Sequence, residues 1–354
     1  MMQYLIDPER PNWPRRLLTT PLVIGAACLL LLAFPLVVVA AVVWDMSRDN
    51  RWSACRSALF FLGFLWCEVL GLGMLLWHWI RHQLYLDDAS YESANRRMQQ
   101  WWIKLCFGLV TRIFDVDVDV QGIEELNDSK PFVLLVRHAS TLDTLLPLAL
   151  SDFGKRFGYV LKAELLLDPA LDYCGHRFQN AFVRRGAGDN RRQIQKVIEL
   201  GNDLGDDDAV VMYPEGTRFS DRKRRRLLEK YADDPSMLSV VESLHSTLPP
   251  LREGVIQLLA NTEKTDVVVM SHRGIDDAGD MSSLIGGALT GADLKVRLWR
   301  IDAGDIERSE AAIRRFLVDQ WQLVDAFASG DDPPSQDTPS DVVDIAANSD
   351  ARVA

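Results

Sequence analysis

Twenty-four consecutive residues, Pro21 to Trp44, contain no charged side chain. At about 1.5 Å of rise per residue, a helix of that length exceeds the roughly 30 Å hydrocarbon core of a bilayer. The run therefore reads as a transmembrane helix. A cleaved signal peptide is the competing reading, because Arg10, Arg15 and Arg16 precede the run and Ala40-Ala41 lies near its end. Against it, the run is longer than a signal-peptide core.

A second apolar stretch, Ala58 to Ile80, is interrupted by Glu68 and, near its far end, by His78. A lone carboxylate at mid-bilayer is costly unless protonated or paired. Either this stretch spans and completes a helical hairpin, or it lies shallowly with Glu68 turned to water; Trp66, Trp77 and Trp79 suit an interface in both cases. Arginines flank both runs, and counting the outer flanks together places the termini in the cytoplasm.

The remaining chain is long enough for one full-sized core plus accessory segments. From Tyr91 to Phe114, Trp101, Trp102, Ile103, Leu105, Phe107, Leu109, Val110 and Ile113 give a helix that rests on a membrane or on the following domain. Alternating Val116, Val118 and Val120 between aspartates predict a strand. Further strands are expected at Phe132 to Val136, Tyr159 to Lys162, Ala181 to Arg184, Ala209 to Tyr213, Val267 to Ser271 and Leu294 to Ile301, and helices at Arg191 to Leu204 and Glu310 to Phe327. Strands alternating with helices indicate an α/β fold, a mixed, largely parallel sheet flanked by helices, here preceded by an N-terminal transmembrane or membrane-embedded helical hairpin. The expected divisions are an N-terminal segment 1–20, an anchor 21–80 with helices 21–44 and 58–80, an amphipathic connecting helix 81–115, the α/β domain 116–328 and an acidic disordered tail 329–354.

That tail holds six aspartates against one arginine, so the rest of the chain stands at −6 of the formal −11. Net charge is a poor guide to partners, because basic stretches are local. In Arg222-Lys223-Arg224-Arg225-Arg226 the default is a solvated face; the functional reading is anionic lipid headgroups, and without an accompanying aromatic motif nucleic acid is not expected. The five cysteines are odd in number and show no CxxC spacing, so neither a disulfide framework nor a zinc site is expected. His176, His245 and His272 are isolated, and no metal is assigned.

Directly after the apolar run Phe132 to Val136, His138 and Asp143 stand five residues apart. An imidazole takes a proton near neutral pH, and a carboxylate on its far nitrogen holds the tautomer and stabilises the charge that forms. Ser140-x-x-Asp143 is also a capping-box pattern, in which the aspartate starts a helix that Pro147 then interrupts. The two readings are compatible if the chain bends back, with His138 in the loop and Asp143 in the first turn. At the end of another strand, Tyr213-Pro214-Glu215-Gly216-Thr217-Arg218 is either an ordinary turn with a surface ion pair or a loop in which Arg218 and Thr217 hold a phosphate. Arg184, Arg185 and Lys162 lie at further strand ends and are candidates for the same anion.

Together, His138-x-x-x-x-Asp143, Phe182-Val183-x-Arg185 and Pro214-Glu215-Gly216-Thr217-Arg218 resemble, in order and spacing, the motifs of the glycerophospholipid acyltransferase family, whose best-known members are the 1-acylglycerol-3-phosphate acyltransferases. The similarity covers roughly Lys130 to Arg273. The resemblance implies that His138 is the catalytic base, Asp143 its partner, and Arg185, Glu215, Gly216, Thr217 and Arg218 the binding set for a phosphate-bearing acceptor. It also implies a lysophospholipid acceptor, an acyl-CoA or acyl-carrier-protein donor as co-substrate, no bound cofactor, and contact with membrane lipids. The setting implied is a bacterial inner (plasma) membrane with the catalytic domain on the cytoplasmic side. Two departures stand out: Arg184 occupies a position where many members have aspartate, and the fourth block, matched best by Val267 to Ser271, has no proline. Leu248 to Gly254 looks like the branch that includes lysocardiolipin and other lysophospholipid acyltransferases.

Overall fold

A computed structural model describes residues 7–8, 12–48, 51–85, 87–184, 190–278, 281–331 and 341–342. Its first part is helical: α1 (Trp13–Arg48), α2 (Ser53–Leu84) and α3 (Asp88–Phe114). The domain that follows holds strands β1 (Asp117–Gln121), β2 (Phe132–Val136), β3 (Arg156–Lys162), β4 (Ala181–Val183), β5 (Asp208–Met212), β6 (Asp266–Arg273) and β7 (Asp293–Ile301), with the two-residue β8 (Asp341–Val342) beyond them. Its main helices are α4 (Leu146–Leu150), α5 (Pro169–Gly175), α6 (Asn190–Leu200), α7 (Asp221–Lys230), α8 (Pro235–Glu242), α9 (Glu253–Asn261) and α10 (Glu310–Ser329).

The sheet runs in the order β4-β3-β5-β2-β6-β7-β1-β8. Neighbours from β4 to β6 are parallel, β7 is antiparallel to β6, β1 is parallel to β7, and β8 is antiparallel to β1. This is the expected mixed, largely parallel sheet. Because successive side chains point to opposite faces, the central apolar strands feed two cores. Phe132, Leu134 and Val136 pack with Phe107, Val110 and Phe114 of α3, while Val133 and Leu135 pack with Leu258 of α9 and with Leu317 and Trp321 of α10. Of the two readings of α3, the structure shows the one against the domain: it lies between the sheet and α2, where the Trp102 indole donates to the Cys67 carbonyl at 3.1 Å.

Both α1 and α2 are long and apolar enough to cross a membrane. Large side chains such as Leu22, Leu32 and Leu36 are exposed along α1. The turn between them is closed by Asp45, which is buried at the end of α1 and accepts the amides of Ala54 and Cys55, both at 3.0 Å, capping α2. The hairpin is tied to the domain at both ends. Near its start, Arg15 and Arg16 pair with buried Asp172 of α5 at 2.6 and 3.1 Å; near the turn, Ser53 meets Thr290 at 3.1 Å and Arg56 donates to the Ile113 carbonyl. Burial raises the Asp172 carboxyl, but His176, Arg15 and Arg16 outweigh it and hold the group at about 2. Most of the acidic tail lies outside the described residues.

Candidate active site

β2 and β5 are adjacent and parallel, with Leu135 opposite Met212, so the loops after both strands emerge at the same edge of the sheet. His138 stands in the first loop. Its carbonyl accepts the Phe219 amide at 2.8 Å and its own amide donates to Glu215 at 2.9 Å, so the second loop grips the first through the backbone on both sides of the imidazole. The His138 ring lies 4.8 Å from that of Tyr213 and keeps a minor part of its surface exposed.

Asp143 sits in a 3-10 turn, Leu142–Thr144, fully buried. Its two oxygens lie 3.3 and 3.2 Å from His138 Nδ1, and Oδ2 also accepts the amides of Ala139 and Ser140 at 2.8 and 2.9 Å. Half of the capping box is therefore present: the carboxylate reaches back to the Ser140 amide, whereas the Ser140 hydroxyl accepts the Leu142 amide at 3.3 Å and donates to the Ala278 carbonyl at 3.0 Å. The expected single helix is instead a 3-10 turn followed by α4, and Pro147 falls in the first turn of α4, where a missing N–H costs nothing. Burial raises the Asp143 carboxyl, yet the hydrogen bonds and charges of His138 and His272 outweigh it and hold the group at about 2. The carboxylate is thus ionised across the working range, and by engaging Nδ1 it assigns any proton transfer to the far nitrogen of His138, Nε2.

The loop after β5 departs from its expected role in part. Glu215 is 1% exposed, with one oxygen on the His138 amide and the other on the Leu248 amide at 2.9 Å. It holds the backbone of the site rather than facing an acceptor. Gly216 has a φ of +67°, and a Cβ there would lie 2.6 Å from Arg252 Nε, which donates to the Glu215 carbonyl at 3.1 Å. The Thr217 hydroxyl accepts from Lys223 at 2.8 Å, and Arg218 donates to the Thr141 hydroxyl at 2.7 Å, which brings the arginine onto the His138–Asp143 turn. Lys162 ends β3, two strands from His138, and pairs with Glu164 at 3.3 Å. Arg184 lies 3.6 Å from Asp7. Arg185 lies outside the described residues.

Two site residues escaped the sequence reading. Arg137, fully buried, donates to the carbonyls of His272 and Ser246 at 2.6 and 2.9 Å and pairs with Asp276, tying the ends of β2 and β6 to the loops beside them. His272, also fully buried, lies 3.7 Å from Asp143 Oδ2. The usable signal was its offset: Val136 pairs with Met270 across β2 and β6, so His138 and His272 each stand two residues beyond a matched pair. In the basic run, Lys223 and Arg224 are spent on structure, with Arg224 donating to the carbonyls of Leu244 and Glu242, while Arg222, Arg225 and Arg226 remain exposed.

Beside the pair, between α2, α3 and the domain, is an apolar cavity of about 460 Å³ lined by Phe60, Phe64, Leu75, Trp102, Leu145 and others. Thr141, Leu142 and Thr144, the turn that carries Asp143, form part of its wall.

Residues 117–271 match the family model described as Acyltransferase. Among curated proteins, the lyso-ornithine lipid O-acyltransferase of Pseudomonas aeruginosa is 28% identical over 149 residues, 42% of this chain and 51% of that protein. The chain thus spans about half the length of the curated relative it matches. Among solved structures, the 1-acyl-sn-glycerophosphate (LPA) acyltransferase PlsC of Thermotoga maritima aligns over 75% of this chain and 94% of its own, with a TM-score of 0.50 and 17% identity, a likeness of fold. Residues 117–271, which hold the His138–Asp143 pair, the strand-end loops and most of the sheet, are thus similar to the acyltransferase domain that this family model describes.

Proposed function

We propose that the protein transfers a fatty acyl group from an acyl thioester to the hydroxyl of 1-acylglycerol 3-phosphate in phospholipid synthesis, with His138 as general base. The observation that carries this reading is the placement of a His–Asp pair, its carboxylate ionised and buried, beside an apolar cavity that opens between the apolar hairpin and the domain. His138 Nε2 takes the proton of the acceptor hydroxyl as that oxygen attacks the thioester carbon; the tetrahedral oxyanion collapses, the carbon–sulfur bond breaks, and the proton passes from His138 to the departing thiolate. Asp143 fixes the tautomer and stabilises the imidazolium in between. No acyl-enzyme is needed, because the thioester is already activated.

In this reading Arg218, with Arg185 and Thr217, holds the acceptor's anionic group, Lys162 stands at the margin of the site, and the cavity takes an acyl chain. The donor is acyl-CoA or acyl-carrier protein. The matched curated relative favours a second reading, acyl transfer to another lysolipid such as lyso-ornithine lipid. Membranes carrying the protein, supplied with lysophosphatidic acid, other lysophospholipids, glycerol 3-phosphate or lyso-ornithine lipid and with each donor, decide between the acceptors. Mass spectrometry of the products is expected to show phosphatidic acid as the main new lipid; acylation of lyso-ornithine lipid alone would establish the second reading.

A further inference from the structure

We infer that His272 is a positioning residue of the His138–Asp143 pair, its Nε2–H shared between the Arg137 carbonyl and Asp143 Oδ2 so that the carboxylate is held from the sheet side. The inference rests on the reading of His138 as the base. His272 Nε2 lies 3.1 Å from the Arg137 carbonyl oxygen, which can only accept, so Nε2 carries the proton. The same N–H lies 3.7 Å from Asp143 Oδ2, a contact rather than a full hydrogen bond, in a site where both side chains are fully buried and charge is weakly screened. The other ring nitrogen, Nδ1, is buried and without a hydrogen-bond partner among the described residues. Burying an unmet polar atom costs stability, and an apolar side chain would fill the space without that cost. An imidazole kept there despite it points to a role for the N–H on the other side of the ring.

The remaining groups around Asp143 do different work. His138 receives its charge, Glu215 holds the His138 amide, Arg218 sits on Thr141, and the Arg137 guanidinium is turned to His272, Ser246 and Asp276. The Tyr213 hydroxyl donates to the Asp143 carbonyl, not to its carboxylate, and burial pushes that phenol well above its ordinary range. His272 alone among these brings an N–H from β6 to the carboxylate. Removing that N–H concentrates the Asp143 charge on His138, which stabilises the imidazolium.

The test is a titration of His138 in the full-length protein labelled with 13C-histidine, six residues in all, assigned through His138→Gln. His272→Gln keeps a donor near Nε2, whereas His272→Leu and His272→Asn remove it; thermal unfolding identifies which of them fold. Expected are an unchanged His138 midpoint in His272→Gln and a rise on the order of half a unit or more in the other two. In acyl transfer, kcat should fall about tenfold or more with both Michaelis constants within about twofold, because positioning acts on the reacting state. A folded Leu or Asn variant with an unmoved midpoint overturns the inference. A moved midpoint in a protein that acylates no lysolipid leaves the inference standing and removes the proposed activity instead.

Discussion

Glu215 belongs to a motif whose resemblance assigns it to the acceptor, yet both of its oxygens are taken by the amides of His138 and Leu248. In Glu215→Gln one terminal atom becomes a donor and must face an N–H. Leaving that amide unmet costs about 1–3 kcal/mol. The variant is expected to unfold several degrees lower and to lose turnover through a displaced His138, read by thermal unfolding beside initial rates. Burial also pushes the Glu215 carboxyl up from 4.5 to about 8, against the pull of the His138 amide, Arg137 and the Leu248 amide. A raised pKa means that the folded state holds the proton more tightly, so this contribution to stability is full below about pH 4.5 and is lost as the pH rises through 8. The wild-type unfolding midpoint should therefore fall between pH 5 and 8 more steeply than that of Glu215→Gln. At this scale the sequence was a partial guide. It brought out His138 and Asp143 as a pair after an apolar run, and the structure places the two side chains 3.2 Å apart, but the direction in which Glu215 points depends on Leu248, in a separate segment.

Among the elements, the hairpin of α1 and α2 has the clearest consequence for where the protein sits. Arg15 and Asp45 are thirty residues apart on one helix, about 45 Å along its axis. The domain is attached near both points, through Asp172 at one end and Thr290 at the other. A body fastened at both ends of a 45 Å rod cannot stand wholly on one side of a hydrocarbon core of roughly 30 Å that the rod crosses. The hairpin is therefore proposed to lie along one face of the membrane with the domain beside it. This departs from the crossing expected for Pro21 to Trp44, and Glu68 is buried inside the protein rather than turned to water as the shallow reading of the second stretch has it. A cysteine at Ser47, with Cys28 and Cys55 replaced, should react with an impermeant maleimide from the same side as one at Ser309; labelling from opposite sides would restore a full crossing. Strands were legible to within a few residues, since burial on both faces writes itself as a short apolar run, as in Phe132–Val136. The seating of the hairpin was not, because the ion pair that fixes it joins residues 157 positions apart.

Across the whole molecule, α2, α3 and the domain line an apolar space, and the turn that carries Asp143 forms part of its wall. Its walls come from segments as distant as Phe60 and Leu289, which is why composition announced a membrane protein and a core but no cavity. The same assembly brings His272 to Asp143 through the pairing of β2 with β6, and Arg218 to Thr141 through the pairing of β2 with β5. Each part serves one claim, that His138 removes a proton from a lipid hydroxyl at the edge of that space. The direct test is single-turnover acyl transfer by purified wild-type protein and by His138→Ala, with thermal unfolding to show that both are folded. General base catalysis is worth about 10²- to 10⁴-fold, so the variant should bind donor and acceptor as the wild type does and transfer the acyl group at least about a hundredfold more slowly. A folded His138→Ala protein that transfers at the wild-type rate would contradict the account.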